Sequence, residues 1–281
     1  MLRKPGSLSA VAASIAALAA PAAHAEWALN MTRGVTDISR NVYSLHMTIL
    51  WWCVAIAVFV FGWMIVSLVK FRKSKGAVPD TAMIHSTKAE IIWTVIPVVI
   101  LVILAVPSAR TLIAIEDASK TQLTIKVTGY QWKWQYDYLD KGVSIFSTLK
   151  NDSNAARQMG ANTDVTKVEN YLLDVDNPLV VPVGTKVRVL ITAQDVIHAW
   201  WVPAFAVKKD AIPGFVNEAW FQVDADKPGT YRGQCTELCG RDHGFMPIVV
   251  VAKPKDEYEA WLKAKQDEQK QASLPATPTA G

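Results

Sequence analysis

Between Asn41 and Val69 the chain carries no charged residue, and a second such run extends from Ile91 to Ala109. A helix needs about 20 apolar residues to cross the hydrocarbon core of a bilayer. Both runs meet that requirement, so two transmembrane helices are expected, at about residues 45–69 and 91–115. Pro97 and Pro107 fall inside the second run, and membrane helices tolerate internal proline better than soluble ones. The chain is 51% hydrophobic and 19% charged, against roughly 25% charged in soluble domains. That balance excludes disorder, and three cysteines in 281 residues exclude a disulfide scaffold. It also leaves too much polar sequence for an all-helical transporter, so a globular domain must follow the spans.

Orientation follows from the flanking charges. Lys70, Arg72, Lys73, Lys75 and Lys88 surround the connecting loop against Asp80 alone, which places this loop in the cytoplasm. Residues 1–25 give the same topology independently. Arg3 and Lys4 precede a small apolar stretch, and Ala23-His24-Ala25 has the form of a secretory cleavage site. An exported N-terminus followed by two spans returns the chain to the outside, so the domain after about residue 116 is expected to be extracytoplasmic. The whole chain has a net charge of +4, yet from Ile113 onward 19 Lys and Arg face 21 Asp and Glu. The basicity therefore reports topology rather than an acidic partner such as nucleic acid, and the outer domain leans towards a cationic one.

That domain, about residues 117–253, reads as β structure. Leu123, Ile125 and Val127 alternate with polar residues, as do Val187, Val189 and Ile191, the mark of strands with one buried face. Further strands are expected at Tyr171–Asp174, Leu179–Val183, Trp220–Val223 and Ile248–Ala252. Turn dipeptides separate them. The spacing suggests an antiparallel sandwich or a Greek-key barrel. Residues 147–170 look like a polar insertion. Residues 254–281 hold a short amphipathic helix, Lys255 to Gln271, with Tyr258, Trp261 and Leu262 on one face, and then a disordered tail.

The strongest chemical signal is the segment from Cys235 to Met246, which holds Cys235, Cys239, His243 and Met246. His198 precedes it at the end of another expected strand. Cysteine, methionine and histidine together suit copper. A mononuclear copper site would leave one thiolate over, whereas two thiolates can bridge two ions with one His for each. A disulfide and a structural zinc site remain open on spacing alone.

The pattern C-x-E-x-C-x-x-x-H-x-x-M resembles that of cytochrome c oxidase subunit II. So do Glu90-Ile91-Ile92-Trp93-Thr94-Val95-Ile96-Pro97, Gly129-Tyr130-Gln131-Trp132-Lys133-Trp134, Asp195-Val196-Ile197-His198-Ala199-Trp200 and Asp210-Ala211-Ile212-Pro213-Gly214. The likeness spans roughly residues 40–265. It implies a membrane-anchored all-β protein: a two-helix transmembrane hairpin followed by a cupredoxin-like Greek-key β-barrel carrying a dinuclear copper centre.

By that resemblance Cys235 and Cys239 bridge both coppers. His198 and Met246 complete one, while His243 and the Glu237 backbone carbonyl complete the other. The Glu237 side chain would bind a magnesium ion shared with subunit I. Trp132 would receive the electron from a c-type cytochrome, and Glu90 would open a proton pathway into subunit I. Asp137, Asp140, Asp174, Asp176 and Asp195 would form an acidic docking patch for that donor. The implied partners are subunit I, other oxidase subunits and the lipid bilayer. The chain lacks C-x-x-C-H, so no haem is expected in it. Tyr130 and Lys133 depart from the family, which often has His and an aromatic residue there. A quinol oxidase subunit II would lack the copper ligands. A stand-alone copper carrier, or the copper domain of a nitrous oxide reductase, would not need two spans and the Glu90 segment.

Overall fold

The computed structural model describes residues 30–78, 81–82 and 84–272. The expected export signal, and all but the first residue of the expected tail, lie outside the described residues. The described residues from Thr32 onward form one compact unit.

Two long helices come first, α1 (Asp37–Lys70) and α2 (Thr87–Glu116). Both start earlier than the apolar runs because polar caps extend them. Thr36 and Ser39 form a reciprocal capping box at the start of α1, each side chain accepting the other's backbone N–H at 3.0 Å. That arrangement satisfies amides that helix geometry leaves unpaired. Side chains such as Trp51, Phe59 and Trp63 point outward from α1. A helix that exposes large apolar residues all round needs a lipid or protein neighbour rather than water. Arg40 pairs with Asp37 and Asp224, the Thr36 hydroxyl donates to the Phe205 carbonyl, and Lys209 reaches Glu116 at 3.0 Å. These contacts tie the start of α1 and the end of α2 to the β domain.

The β domain is two packed five-stranded sheets. The first has the order β3-β2-β1-β5-β8, formed by Val143–Ser147, Lys133–Tyr138, Leu123–Tyr130, Val187–Ala193 and Asn217–Phe221. The second runs β4-β10-β9-β6-β7, from Leu179–Pro182, Pro247–Lys253, Gly229–Cys235, His198–Val202 and Val207–Ala211. The period-two expectation holds: in β5 the residues Val187, Val189 and Ile191 are fully buried while their neighbours are not. Trp134, Tyr136, Trp200, Phe205 and Phe221 fill the space between the sheets.

Three expectations change. The sheets are mixed rather than antiparallel, because β1 pairs β5 and β4 pairs β10 in parallel. Tyr171–Asp174 is a turn, since Asn170 and Leu172 take left-handed backbone angles and the Leu173 N–H closes onto the Asn170 carbonyl at 2.8 Å. The insertion at 147–170 is partly ordered into α3 (Asn151–Ala156) and a 3-10 turn, Val165–Lys167. The C-terminal helix α4 (Lys255–Ala272) packs on the β domain, with Trp261 5.4 Å from Tyr138 between ring centres.

Candidate metal centre

Cys235 ends β9 and His198 begins β6, and the register Trp200↔Cys235 brings the two strands side by side. The loop from β9 to β10 then curls back over the end of the sheet. It delivers Cys239, His243 and Met246 to the same spot. The two sulfurs lie 3.8 Å apart and both cysteines are free thiols. His198 Nδ1 is 4.0 Å and the Glu237 carbonyl 3.4 Å from the Cys235 sulfur. His243 Nδ1 and Met246 Sδ are each 3.5 Å from the Cys239 sulfur. The donor atoms of His198, Cys235 and Cys239 all lie within 4.8 Å of one another. Cys235, Cys239, His198 and Met246 are buried, whereas the Glu237 side chain is exposed.

This donor set fits soft or borderline metal ions. Two thiols, two imidazole nitrogens, a thioether and a carbonyl converge, with no carboxylate among them. The electrostatics agree. Burial acts upward on Cys235, but hydrogen bonding with His198 and with neighbouring backbone amides outweighs it and brings the thiol down to about 7. Burial, and then the charge of Cys235, push Cys239 the other way. Two thiolates this close repel, and a bound cation relieves that repulsion.

Supporting residues hold the ligands in orientation. His198 Nε2 lies 2.9 Å from Asp195 Oδ1, which leaves Nδ1 facing the sulfur. A carboxylate behind a ligating imidazole fixes its ring and its tautomer. Asp195 also accepts from the Gln131 and Val196 amides at 2.7 Å. Gly129 in β1 makes room for the imidazole, since a Cβ there would sit 2.9 Å from His198 Cδ2. Gln131 Nε2 and Trp132 Nε1 both donate to the Cys239 carbonyl, at 2.8 and 3.2 Å.

The other expected residues lie elsewhere. Asp137 accepts from Ser144 at 2.6 Å, and Asp176 accepts from the Thr148 amide at 2.7 Å and its hydroxyl at 2.8 Å. Asp174 pairs with Lys150, and Asp140 occupies the β2–β3 turn. Glu90 lies in the first turn of α2, at the opposite end of that helix from the β domain, with His85 Nδ1 at 3.1 Å. Sequence reasoning missed the role of Gln131, which sat inside a recognised segment. Asp195, expected as a docking acid, also bonds the His198 imidazole, as its position three residues earlier hinted.

Comparison with known proteins adds a family to this geometry. The model described as cytochrome C oxidase subunit II, periplasmic domain, matches residues 123–253, and that for the transmembrane domain matches residues 24–111. A probable cytochrome c oxidase subunit 2 of Rickettsia bellii is 41% identical over 239 residues, covering 85% of this chain and 84% of that protein. Its counterpart from Rickettsia prowazekii is 42% identical over 240 residues, covering 85% and 72%. Among solved structures, the periplasmic domain of subunit II of cytochrome oxidase of Bradyrhizobium japonicum is 42% identical. It covers 54% of this chain and 98% of its own, with a TM-score of 0.46.

Proposed function

The chain belongs to the cytochrome c oxidase subunit II family, and from that premise we propose that it is the subunit through which electrons reach the oxidase. It takes single electrons from a c-type cytochrome at Trp132 and delivers them to haem in subunit I, where oxygen is reduced to water and protons are pumped. A dinuclear copper centre held by Cys235, Cys239, His198, His243, Met246 and the Glu237 carbonyl would supply a one-electron site shared over two ions. The observation that carries this reading is the pair of buried thiols 3.8 Å apart with two imidazoles, a thioether and a carbonyl around them.

The chain's own residues then have defined tasks. Trp132 is half-buried and hydrogen-bonded to the Cys239 carbonyl, so a donor touching the indole is one hydrogen bond from the backbone of a ligand. Asp195 holds His198 in the tautomer that presents Nδ1. The exposed Glu237 carboxylate is free to bind magnesium at the contact with subunit I, as a hard oxygen donor should. Glu90 begins the proton pathway from the cytoplasmic side. The β domain faces the periplasm across the inner membrane, and its carboxylates Asp137, Asp140, Asp174, Asp176 and Asp195 draw in a basic cytochrome.

Metal analysis and paramagnetic resonance of the full chain in detergent test this directly. Two coppers per chain with a multi-line spectrum are expected. Zinc, or a metal-free chain with a Cys235–Cys239 disulfide, would refute the copper assignment.

A further inference from the structure

The insertion between β3 and β4 reaches the metal loop through one side chain. Arg157 follows α3 and points its guanidinium at Asp242, the residue before His243. Its two terminal nitrogens donate to the two carboxylate oxygens of Asp242 at 3.3 and 3.2 Å. Nε is bound separately to Asn154 Oδ1 at 2.8 Å, and the guanidinium carbon lies 4.3 Å from the centre of the Phe245 ring. The pair is largely enclosed, with side chains 19% and 12% exposed.

We propose that Arg157 is a positioning residue for the metal centre, and that the insertion is the clamp that carries it. Asp242 and Phe245 bracket the short turn that presents His243 and leads into Met246. Within that turn the Phe245 amide donates to the Asp242 carbonyl at 2.9 Å. One planar cation therefore holds both ends of the turn, by a fork of hydrogen bonds to one residue and by stacking on the other. Lysine cannot reproduce that combination. Arg241 also approaches Asp242, at 3.5 Å, but its side chain is 82% exposed and an exposed pair contributes little.

The clamp has a firm base. The Lys150 amide donates to the Asp174 carbonyl at 3.0 Å and its side chain pairs with the Asp174 carboxylate at 3.2 Å. The Leu172 amide donates to the fully buried Ser153 hydroxyl at 3.1 Å. From β9, Arg232 donates to the Leu173 carbonyl at 3.1 Å. The insertion is thereby stitched to the strand that ends in Cys235, and Arg157 extends from it to the far side of the same loop.

This inference rests on the metal reading above, and the test separates the two. The full chain in detergent is compared with Arg157→Gln, Arg157→Lys, Asp242→Asn and the double variant Arg157→Gln/Asp242→Asn. Copper affinity and the paramagnetic spectrum are measured, together with hydrogen exchange at His243 and Phe245 in the metal-free protein. Arg157→Gln should hold copper roughly 10–100-fold less tightly, with a changed spectrum and faster exchange in the turn. Arg157→Lys should restore little of this. The double variant should be no worse than the poorer single one, because both break the same contact. Circular dichroism establishes that each variant is folded, and Arg157→Lys carries the comparison if Arg157→Gln is not. Copper affinity and turn exchange within about twofold of the parent chain would overturn the proposal. Failure of the parent chain to bind copper would instead refute the metal reading, and exchange in the metal-free turn would still decide the clamp.

Discussion

The indole N–H of Trp132 donates to the backbone carbonyl of Cys239 at 3.2 Å. Gln131 donates to the same oxygen at 2.8 Å, and its backbone amide reaches Asp195 behind His198. The β1–β2 turn thus touches both the metal loop and the support of the distant histidine. Gly240, directly after Cys239, has a φ of 114° and would place a Cβ 3.2 Å from Trp132 Cζ2. Glycine serves that spot both for its backbone angle and for the closeness of the indole.

Trp132→Phe removes the indole donor while keeping an aromatic ring. Loss of one hydrogen bond should cost about 1 kcal/mol of stability. Electron uptake from reduced cytochrome c should slow about tenfold, equivalent to about 1.4 kcal/mol on the barrier, with copper content unchanged. Loss of copper from this variant would show the residue to be structural.

Asp195→Asn removes the charged acceptor behind His198. Copper should be held roughly 10–100-fold less tightly, which competition with a chelator measures. An unaltered affinity would mean that the imidazole orients without help.

Gly129→Ala places a methyl group against the His198 ring, 2.9 Å from Cδ2 and 3.0 Å from Cγ. Overpacking of this kind costs about 1–3 kcal/mol. The variant should melt earlier and lose copper more readily, and a chain indistinguishable from the parent in both respects would reject the steric argument.

Alkaline pH should attack the core through its tyrosines. Burial holds Tyr136 and Tyr138 above the ordinary tyrosine range and raises Tyr258 to about 12. Their neutral forms are favoured in the fold, so their contribution is complete below about pH 10 and is lost as pH rises through the folded values. In an ultraviolet titration these three of the seven tyrosines should ionise only as the protein unfolds. Reversible ionisation of all seven near pH 10 with the fold intact would contradict this.

Glu90→Ala should slow proton uptake in the assembled oxidase and leave electron uptake from the cytochrome normal. Turnover equal to the parent enzyme would remove Glu90 from the pathway. Its contact with His85 at 3.1 Å makes His85 the first neighbour to examine.

Much of the architecture was legible because it is written locally. A charge-free run long enough to span a bilayer declares itself, and alternation along β1 and β5 marks their buried faces. Tyr171–Asp174 misled because its apolar residues mimic a strand, whereas the left-handed angles at Asn170 and Leu172 are set by how the insertion folds back on β9. The parallel pairing of β1 with β5 was invisible, since a period-two pattern identifies a buried face but not its neighbour.

The same division holds at the metal centre. Sequence by itself determined which donors are available there, because Cys235, Glu237, Cys239, His243 and Met246 belong to one loop whose geometry is short-range. Resemblance names His198, but only the tertiary structure shows how a residue 37 positions before Cys235 comes to share the site, and it alone decided that Arg157 meets Asp242 across 85 residues. The β6–β9 register makes the first meeting and the packing of the insertion on β9 makes the second. Both depend on which surfaces bury each other, and no local pattern of residues encodes that choice.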